Sequence, residues 1–91
     1  MTVAVAIFYP DLKKLVGQTE SLRLSGTTVG EALADLVHRF PDAEKLLFNT
    51  RGELLRLVHV FVNHEGMRKA EMDRPLKDSD TLIIAVLASG G

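Results

Sequence analysis

One segment near the middle of the chain carries a strong helical pattern, and it limits the folds open to the rest. Thr28-Val29-Gly30-Glu31 forms a capping box: we expect the Thr28 hydroxyl to accept from the Glu31 amide, and the Glu31 carboxylate to accept from the Thr28 amide. Apolar residues then recur at helical spacing, namely Val29, Leu33, Leu36 and Phe40, with Ala32 and Val37 widening the stripe. Pro41 ends the pattern, because the residue before a proline disfavours the helical region. The sequence therefore predicts one amphipathic helix of about three turns with one face to bury.

Alternating segments precede this helix. Apolar residues at every second position from Val3 predict a strand over 2–8 with one buried face, which Pro10 ends. A second extended segment over 18–24 follows a loop that contains Gly17. The two segments together predict an antiparallel hairpin.

Further strand patterns follow the helix. The strongest lies over 57–63, where valines at 58, 60 and 62 share one face and Leu57, His59 and Phe61 share the other. We expect a turn over 63–66, a short edge strand over 67–69, and a last strand over 81–85 with Leu82 and Ile84 facing inward. Between helix and strand, residues 46–48 predict a short helical turn that closes one end of the core. Residues 49–53 predict an exposed loop.

The order of these elements is strand, strand, helix, strand, short strand, strand. It predicts an α+β fold of the β-grasp type, with a mixed sheet of four or five strands and one main helix on one face. The right-handed crossover rule places the last strand parallel to the first, at the centre of the sheet. We expect one domain over residues 1–87, followed by a flexible tail over 88–91.

Composition excludes several classes of protein. A net charge of -1 argues against a nucleic-acid partner, which usually requires a clustered basic excess. The chain has no cysteine, which excludes disulfides, thiol nucleophiles and iron–sulfur ligation. The longest apolar run, Leu82 to Ala88, is far shorter than the ~20 residues that span a bilayer, and no basic region precedes the N-terminal apolar stretch as in a signal peptide. We therefore expect a cytoplasmic protein with no membrane partner.

The chain contains no pattern typical of a catalytic or metal site. His38, His59 and His64 are not at metal-ligand spacing within one element. Asp78 and Asp80 flank a serine in a predicted turn, where both residue types favour local backbone hydrogen bonds. No Gly-x-Ser-x-Gly or phosphate-loop motif is present. We expect no enzyme active site, no metal and no bound cofactor.

The remaining chemical feature is the pair Gly90-Gly91. A C-terminal carboxylate can attack the α-phosphate of ATP to form an acyl-adenylate, which a sulfur or nitrogen nucleophile then opens. Residues without a Cβ pass through a narrow channel and adopt backbone angles that other residues cannot. The alternatives are a frayed end that happens to be glycine, or a remnant of expression.

These features together resemble a known family, the ubiquitin-like sulfur carriers of the MoaD/ThiS type. The resemblance covers nearly the whole chain. It rests on Val3-x-Val5-x-Ile7, Thr28-Val29-Gly30-Glu31-Ala32-Leu33, Val60-Phe61-Val62-Asn63 with Glu65, Pro75-Leu76-Lys77-Asp78-x-Asp80, and Gly90-Gly91. It implies that an adenylating enzyme of the ubiquitin-activating type uses ATP to activate Gly91, with Gly90 permitting access. Gly91 then becomes a thiocarboxylate that serves a sulfur-acceptor enzyme, and the chain itself is a carrier, a monomer when free.

Within the family, the segment 56–65 and the long segment before it look most like the cysteine-biosynthesis carrier CysO. Val86 and Leu87 stand where such carriers have one proline or more, so cysteine, molybdopterin and thiamine pathways all remain open. We expect Leu87, with outward-facing Phe61 and His59, to form a partner-docking patch; the alternative is that Leu87 folds back onto the core. A protein modifier conjugated to lysines through Gly91, and a plain structural adaptor, are the competing functions.

Overall fold

The computed structural model describes residues 2–17, 22–63, 65–66 and 72–86, and for 65–66 it describes the backbone alone. The described elements, in chain order, are β1 (Thr2–Phe8), α1 (Pro10–Val16), β2 (Arg23–Ser25), α2 (Val29–Arg39), α3 (Ala43–Leu47), β3 (Val58–Val62), β4 (Glu65–Gly66) and β5 (Thr81–Val86).

The strands form one five-stranded mixed sheet in the order β2-β1-β5-β3-β4. β1 and β5 are parallel, and the other neighbouring pairs are antiparallel. The last strand therefore lies beside the first at the centre of the sheet. With α2 as the longest helix, the predicted α+β β-grasp fold is confirmed.

The core lies between one face of this sheet and the apolar stripe of α2. Alternation along each strand supplies the sheet side, and the helical spacing supplies the other. The buried residues that these elements contribute are Val3, Val5, Ile7, Leu24, Val58, Val60, Val62, Leu82 and Ile84 from the sheet, and Val29, Ala32, Leu33 and Leu36 from α2. Phe40 and Val37 are partly buried against the same cluster.

The start of α2 confirms one half of the predicted capping box and corrects the other. The Thr28 Oγ1 accepts from the Glu31 amide at 3.2 Å, as predicted. Glu31 Oε1 instead accepts from the amide and the hydroxyl of Thr27, at 2.8 and 3.0 Å. Gly26, the residue before Thr27, also runs close to the start of α2, since an added Cβ there would lie 2.7 Å from the Glu31 Cβ.

The connection between β1 and β2 differs from the prediction of a loop. It contains α1, which has proline at its first position, Asp11 in its first turn and a buried Leu12, and which ends at Gly17 with φ 84°. Proline is favoured at the first position of a helix because its missing N–H is not needed there. β2 covers Arg23–Ser25 rather than 18–24, and residues 18–21 lie outside the described residues.

From α2 onward, the structure largely follows the sequence pattern. α2 ends before Pro41, and the loop over 49–53 is exposed. The short helix α3 begins earlier than the helical turn predicted over 46–48 and ends before Phe48, which is extended. β4 forms at Glu65–Gly66, where we had predicted a turn, and the strand predicted over 67–69 lies outside the described residues. No helix in the described part of the chain is both long and apolar enough to cross a membrane.

Candidate functional site

The central strand β5 carries the chain to the tail. At its last residues, Ala85 lies opposite both Phe8 of β1 and His59 of β3, and Val86 lies opposite Val58. The strand is therefore paired on both sides up to Ala85, and on the β3 side up to Val86. The predicted reactive residues Gly90 and Gly91, and the predicted docking residue Leu87, lie outside the described residues.

The side of the sheet that faces away from the core is apolar near this end, and we call it the open face. It consists of Ala4, Ala6 and Phe8 of β1, Ile83 and Ala85 of β5, and His59 and Phe61 of β3. The structure brings the predicted docking residues His59 and Phe61 together. Their rings stack with centroids 6.3 Å apart and planes 14° from parallel.

Two large apolar side chains are exposed in the described residues, and both lie at the tail end of β5. Phe8 is 64% exposed and lies opposite Ala85, and Leu57 is 48% exposed and directly precedes Val58. An exposed apolar pair beside an otherwise half-buried apolar face is a mark of a binding surface. Sequence reasoning placed Leu57 on the outward face but named neither residue as a docking site. For Phe8 the available signal was its place in the outward alternation after Ala4 and Ala6.

Charge on the open face is also uneven. The seven residues that define it include no carboxylate. A charged side chain appears toward the opposite end, where Arg23 of β2 donates from Nε to Thr2 Oγ1 at 2.8 Å and from Nη2 to the Thr2 carbonyl at 2.9 Å. The tail end therefore offers a surface that suits an apolar partner.

The start of β5 has a different construction, which we call the Asn63 junction. Asn63, at φ 59°, donates from Nδ2 to Asp80 Oδ1 at 2.9 Å, and its Oδ1 accepts from the Thr81 amide at 2.9 Å. Asp80 Oδ2 accepts from the Lys77 amide at 2.9 Å. The hydrogen bond from Asn63, followed by that from Lys77, holds the pKa of Asp80 below its usual range. The sequence predicted a polar turn here but not its link to β3.

The other residues considered for a metal or catalytic site do not converge in the described part of the chain. In the described residues, no three or more His, Asp or Glu side chains converge as metal ligands. His38 is exposed on the last turn of α2, far from His59 in the chain, and His64 lies outside the described residues. A groove of about 590 Å³ lies between α2 and the exposed loop, lined by Gly30, Ala34, Val37, Glu44, Phe48, Asn49, Thr50, Arg51 and Gly52. Among the described residues that line it, the acidic and basic side chains are Glu44 and Arg51, which do not form a catalytic set.

Known proteins share both the pattern and the fold. The model of the ThiS family matches residues 6–91. The crystal structure of SAMP1 from Haloferax volcanii has a TM-score of 0.82 and 28% identity, with 100% of each chain covered. A chain in the crystal structure of the Amycolatopsis orientalis BexX/CysO complex has a TM-score of 0.77 and 31% identity, over 97% of this chain and 100% of that one.

The crystal structure of Mycobacterium tuberculosis CysO, an antigen, has a TM-score of 0.76 and 26% identity, over 92% of this chain and 99% of that one. Among curated proteins, none matches the chain. The family match covers nearly the whole sequence, and the structural likenesses span the complete β-grasp body. The chain therefore belongs to the ThiS family and has the ubiquitin-like fold of its sulfur carriers and modifiers.

Proposed function

We propose that the chain is a sulfur carrier that acts through the carboxylate of Gly91. In a partner enzyme of the ubiquitin-activating type, a Gly91 carboxylate oxygen attacks the α-phosphorus of ATP, and pyrophosphate leaves. A sulfur nucleophile then attacks the acyl carbon of the adenylate, and AMP leaves, so that the terminus becomes a thiocarboxylate. The observation that supports this most is that Gly90 and Gly91 follow the central strand of a ThiS-family body in the sequence, within the family match over residues 6–91.

The absence of cysteine fits this chemistry, because the sulfur is carried on the backbone terminus rather than on a side chain. Gly90 allows the tail to enter the active site of the enzyme, since a residue without a Cβ can pass through a narrow channel. ATP is then a substrate of the partner enzyme, and the carrier itself binds no cofactor. The cytoplasm, where ATP and the sulfur-acceptor enzyme are both available, is the proposed place of action.

The body of the carrier docks close to the tail. Five residues follow Val86, and an extended chain spans at most about 3.3–3.6 Å per residue, so Gly91 reaches no further than roughly 18 Å from the end of β5. An enzyme that acts on Gly91 must therefore approach this end of the molecule. The exposed side chains of Phe8 and Leu57 and the stacked pair of His59 and Phe61 provide its apolar contact, extended by Leu87.

The pathway that we favour is sulfide delivery for cysteine biosynthesis. The similarity to the Mycobacterium tuberculosis CysO structure and to a chain of the BexX/CysO complex supports this choice. In one of them CysO is in complex with BexX, and by analogy we propose that a sulfur-acceptor enzyme binds the present carrier. Molybdopterin and thiamine pathways remain the alternatives, because Val86 and Leu87 replace the prolines expected before the tail.

A second candidate function is protein modification. The same adenylate would be opened by a lysine amine, giving an isopeptide bond to Gly91. The similarity to SAMP1, a small archaeal modifier protein, favours this candidate. The two functions share their first step and differ in the nucleophile that follows.

An intact-mass measurement tests the proposal. The carrier is incubated with ATP, sulfide and a ubiquitin-activating-type enzyme from the same organism, shown to be active on another ThiS-family carrier. The expected result is a mass gain equal to the replacement of one oxygen by sulfur. The gain should disappear without ATP and in a variant that lacks Gly90 and Gly91. No gain in the wild-type chain would refute the carrier function, and conjugates that survive thiol treatment would indicate the modifier.

A further inference from the structure

Two described segments flank the end of β5, one on the side of β1 and one on the side of β3. On the β1 side, α1 follows Phe8, which lies opposite Ala85. On the β3 side, residues 55–58 form a turn that a backbone hydrogen bond of 3.0 Å closes, and its last residue, Val58, lies opposite Val86. The last described residue of β5 therefore lies between the start of α1 and this turn.

Each of these two segments carries exposed cations. Lys13 and Lys14 lie on α1, and the Lys13 amide donates to the Tyr9 carbonyl at 2.8 Å, which holds Lys13 one helical turn from the end of β1. Arg56 lies two residues before Val58, and so within about 7 Å of it along the chain. A surface that covers the end of β5 is therefore within reach of cations on both sides.

The charge of these segments is opposite in sign to that of the whole chain. Two lysines and Asp11 in α1, with Arg56 in the turn, give a net charge of +2, whereas the chain has a formal net charge of -1. Asp11 lies near Tyr9, where its charge adds to the effect of burial in raising the pKa of the Tyr9 hydroxyl. Local charge of opposite sign indicates an electrostatic role in association.

Helix stabilisation explains only part of this pattern. Lys13 and Lys14 lie in the last turn of α1, where cations are favoured by the helix dipole. Arg56 lies in a turn and directly precedes the exposed Leu57, so the dipole of α1 does not account for it. We call Lys13, Lys14 and Arg56 the basic rim, because they lie around the apolar pair of Phe8 and Leu57. Protein interfaces commonly have an apolar centre and a polar rim.

We propose that the basic rim speeds the encounter of the carrier with its adenylating enzyme, and that carboxylates border the channel through which that enzyme admits the tail. The proposal rests on the proposed function, because the reach of Gly91 places the enzyme over this end. Attraction between patches of opposite charge acts before contact, so it raises the association rate constant more than it slows dissociation. Cations on both sides of β5 also orient the carrier with its tail toward the channel.

Association rates at two salt concentrations test the proposal. Carrier and enzyme are mixed in a stopped-flow instrument at about 0.02 M and about 0.3 M salt, because the screening length falls from about 30 Å at 0.01 M to about 3 Å at 1 M. The association rate constant of wild type should fall about tenfold or more at the higher salt. A triple variant, Lys13→Glu with Lys14→Glu and Arg56→Glu, should associate about tenfold more slowly than wild type at low salt and within about threefold at high salt.

Two single substitutions provide a matched comparison. Arg56→Glu and Arg51→Glu both replace an exposed arginine outside the helices and strands, and both change the net charge equally. Arg51 lies in the loop over 49–53, beside α2 rather than at the end of β5. At low salt Arg56→Glu should slow association about threefold or more, and Arg51→Glu by less than about 1.5-fold.

A neutral variant guards against damage to α1. Lys13→Gln with Lys14→Gln removes two charges without placing carboxylates at the end of the helix. It should slow association at low salt by less than the triple variant, and the difference from wild type should again shrink at high salt. A thermal melt of each variant checks that the carrier is folded.

The outcomes separate this inference from the proposed function. Equal slowing by Arg56→Glu and Arg51→Glu overturns it, because net charge would then explain both. Slowing that persists undiminished at high salt, or faster association of the triple variant, also overturns it. Thiocarboxylate formation by wild type at saturating carrier, measured by intact mass, is independent of these rates, and its absence would refute the carrier function itself.

Discussion

The two ends of β5 differ in chemistry: polar side chains surround its start, and apolar side chains surround its end. At its start, the Asn63 junction joins β3, the preceding turn and β5 through three hydrogen bonds that involve side chains, each with a donor–acceptor distance of 2.9 Å. At its end, Ala85 and Val86 lie beside the exposed apolar side chains of Phe8 and Leu57. At the start of β5 these polar groups are hydrogen-bonded within the chain, whereas at its end apolar surface remains exposed to solvent.

This difference separates stability from recognition along one strand. Hydrogen bonds at the start fix the register of β5 without needing a partner. Apolar surface at the tail end gains free energy only when another surface covers it. Substitutions at the tail end should therefore change activation by the partner and leave folding intact, and substitutions at the Asn63 junction should do the reverse. The predictions below test this separation, from the largest expected effect to the smallest.

Deletion of Gly90 and Gly91 should have the largest effect. The variant lacks the carboxylate that reacts and the residue that gives access to it, so thiocarboxylate formation should fall below detection. The thermal midpoint of unfolding should match that of wild type, since we expect the domain to end before these two residues. Intact mass and a thermal melt provide the two readouts, and a clear loss of stability in the variant would show that the tail is part of the core.

Charge at the tail end should have the next largest effect. Phe8→Asp and Leu57→Asp place a carboxylate where we propose that the partner buries apolar surface, and such contacts are often worth about 2 kcal/mol or more. Each variant should raise the KM for the carrier by about tenfold or more, which corresponds to at least about 1.4 kcal/mol. The kcat should change little, because Gly91 is untouched.

Ala34→Asp is the matched control for these variants. Ala34 is exposed on α2, away from the open face, and the substitution adds the same charge. Its KM should equal that of wild type. If it rises as much as those of Phe8→Asp and Leu57→Asp, net charge rather than the apolar pair controls docking.

Substitution of Asn63 should act on stability instead. Asn63→Ala removes two side-chain hydrogen bonds, each worth about 0.5–1.5 kcal/mol net, and places alanine at φ 59°, which costs about 1 kcal/mol more. Since the site is exposed, we expect a loss of about 2 kcal/mol in the free energy of unfolding. Asn63→Gly keeps the backbone conformation accessible and should lose about 1 kcal/mol.

Both Asn63 variants should keep the wild-type KM at a temperature well below their midpoints. Chemical denaturation measures the free energies of unfolding, and the activation assay measures the KM. A raised KM at wild-type stability would mean that the partner contacts the Asn63 junction, and the two ends of β5 would then not be separate in function.

The sequence predicted the ends of β5 unequally. The strand itself, its inward residues Leu82 and Ile84 and its parallel pairing with β1 followed from alternation and from the handedness of the crossover. His59 and Phe61 were placed on the outward face by the same alternation. A period of two fixes which face a residue takes, and that information is local.

The parts that escaped prediction depend on contacts between distant segments or on short patterns. Glu31 binds Thr27 where Gly26 approaches the helix, and the sequence pattern does not contain that approach. Phe8 is exposed because no described segment covers it, and that depends on the arrangement of distant segments rather than on the residues around Phe8. The seven residues of α1 are too few for a helical period to be distinguished from a loop after Pro10. Residues 87–91, which bear the proposed chemistry, lie outside the described residues, so the sequence alone supports Gly91 as the reactive residue.

Acid should weaken the Asn63 junction, and this is the smallest effect that we predict. The hydrogen bonds from Asn63 and Lys77 hold the pKa of Asp80 below its ordinary value, because both donors favour the charged carboxylate. A lowered folded-state pKa means that the stabilisation is fully present above the unfolded pKa, about 3.9, and is lost as pH falls through the folded pKa.

Asp80→Asn tests this contribution. Asparagine has one acceptor oxygen in place of two, so it can satisfy Asn63 or the Lys77 amide but not both. The variant should be less stable than wild type at pH 7, and the difference should shrink as pH falls below about 4. Glu31, whose pKa is lowered by its bonds to Thr27, has the same sign of pH dependence in both proteins and cancels in the comparison. Denaturation curves between pH 7 and pH 3, with Asp78→Asn as control in the same turn, measure the difference, and a constant gap across that range would show that the charge of Asp80 contributes nothing to the junction.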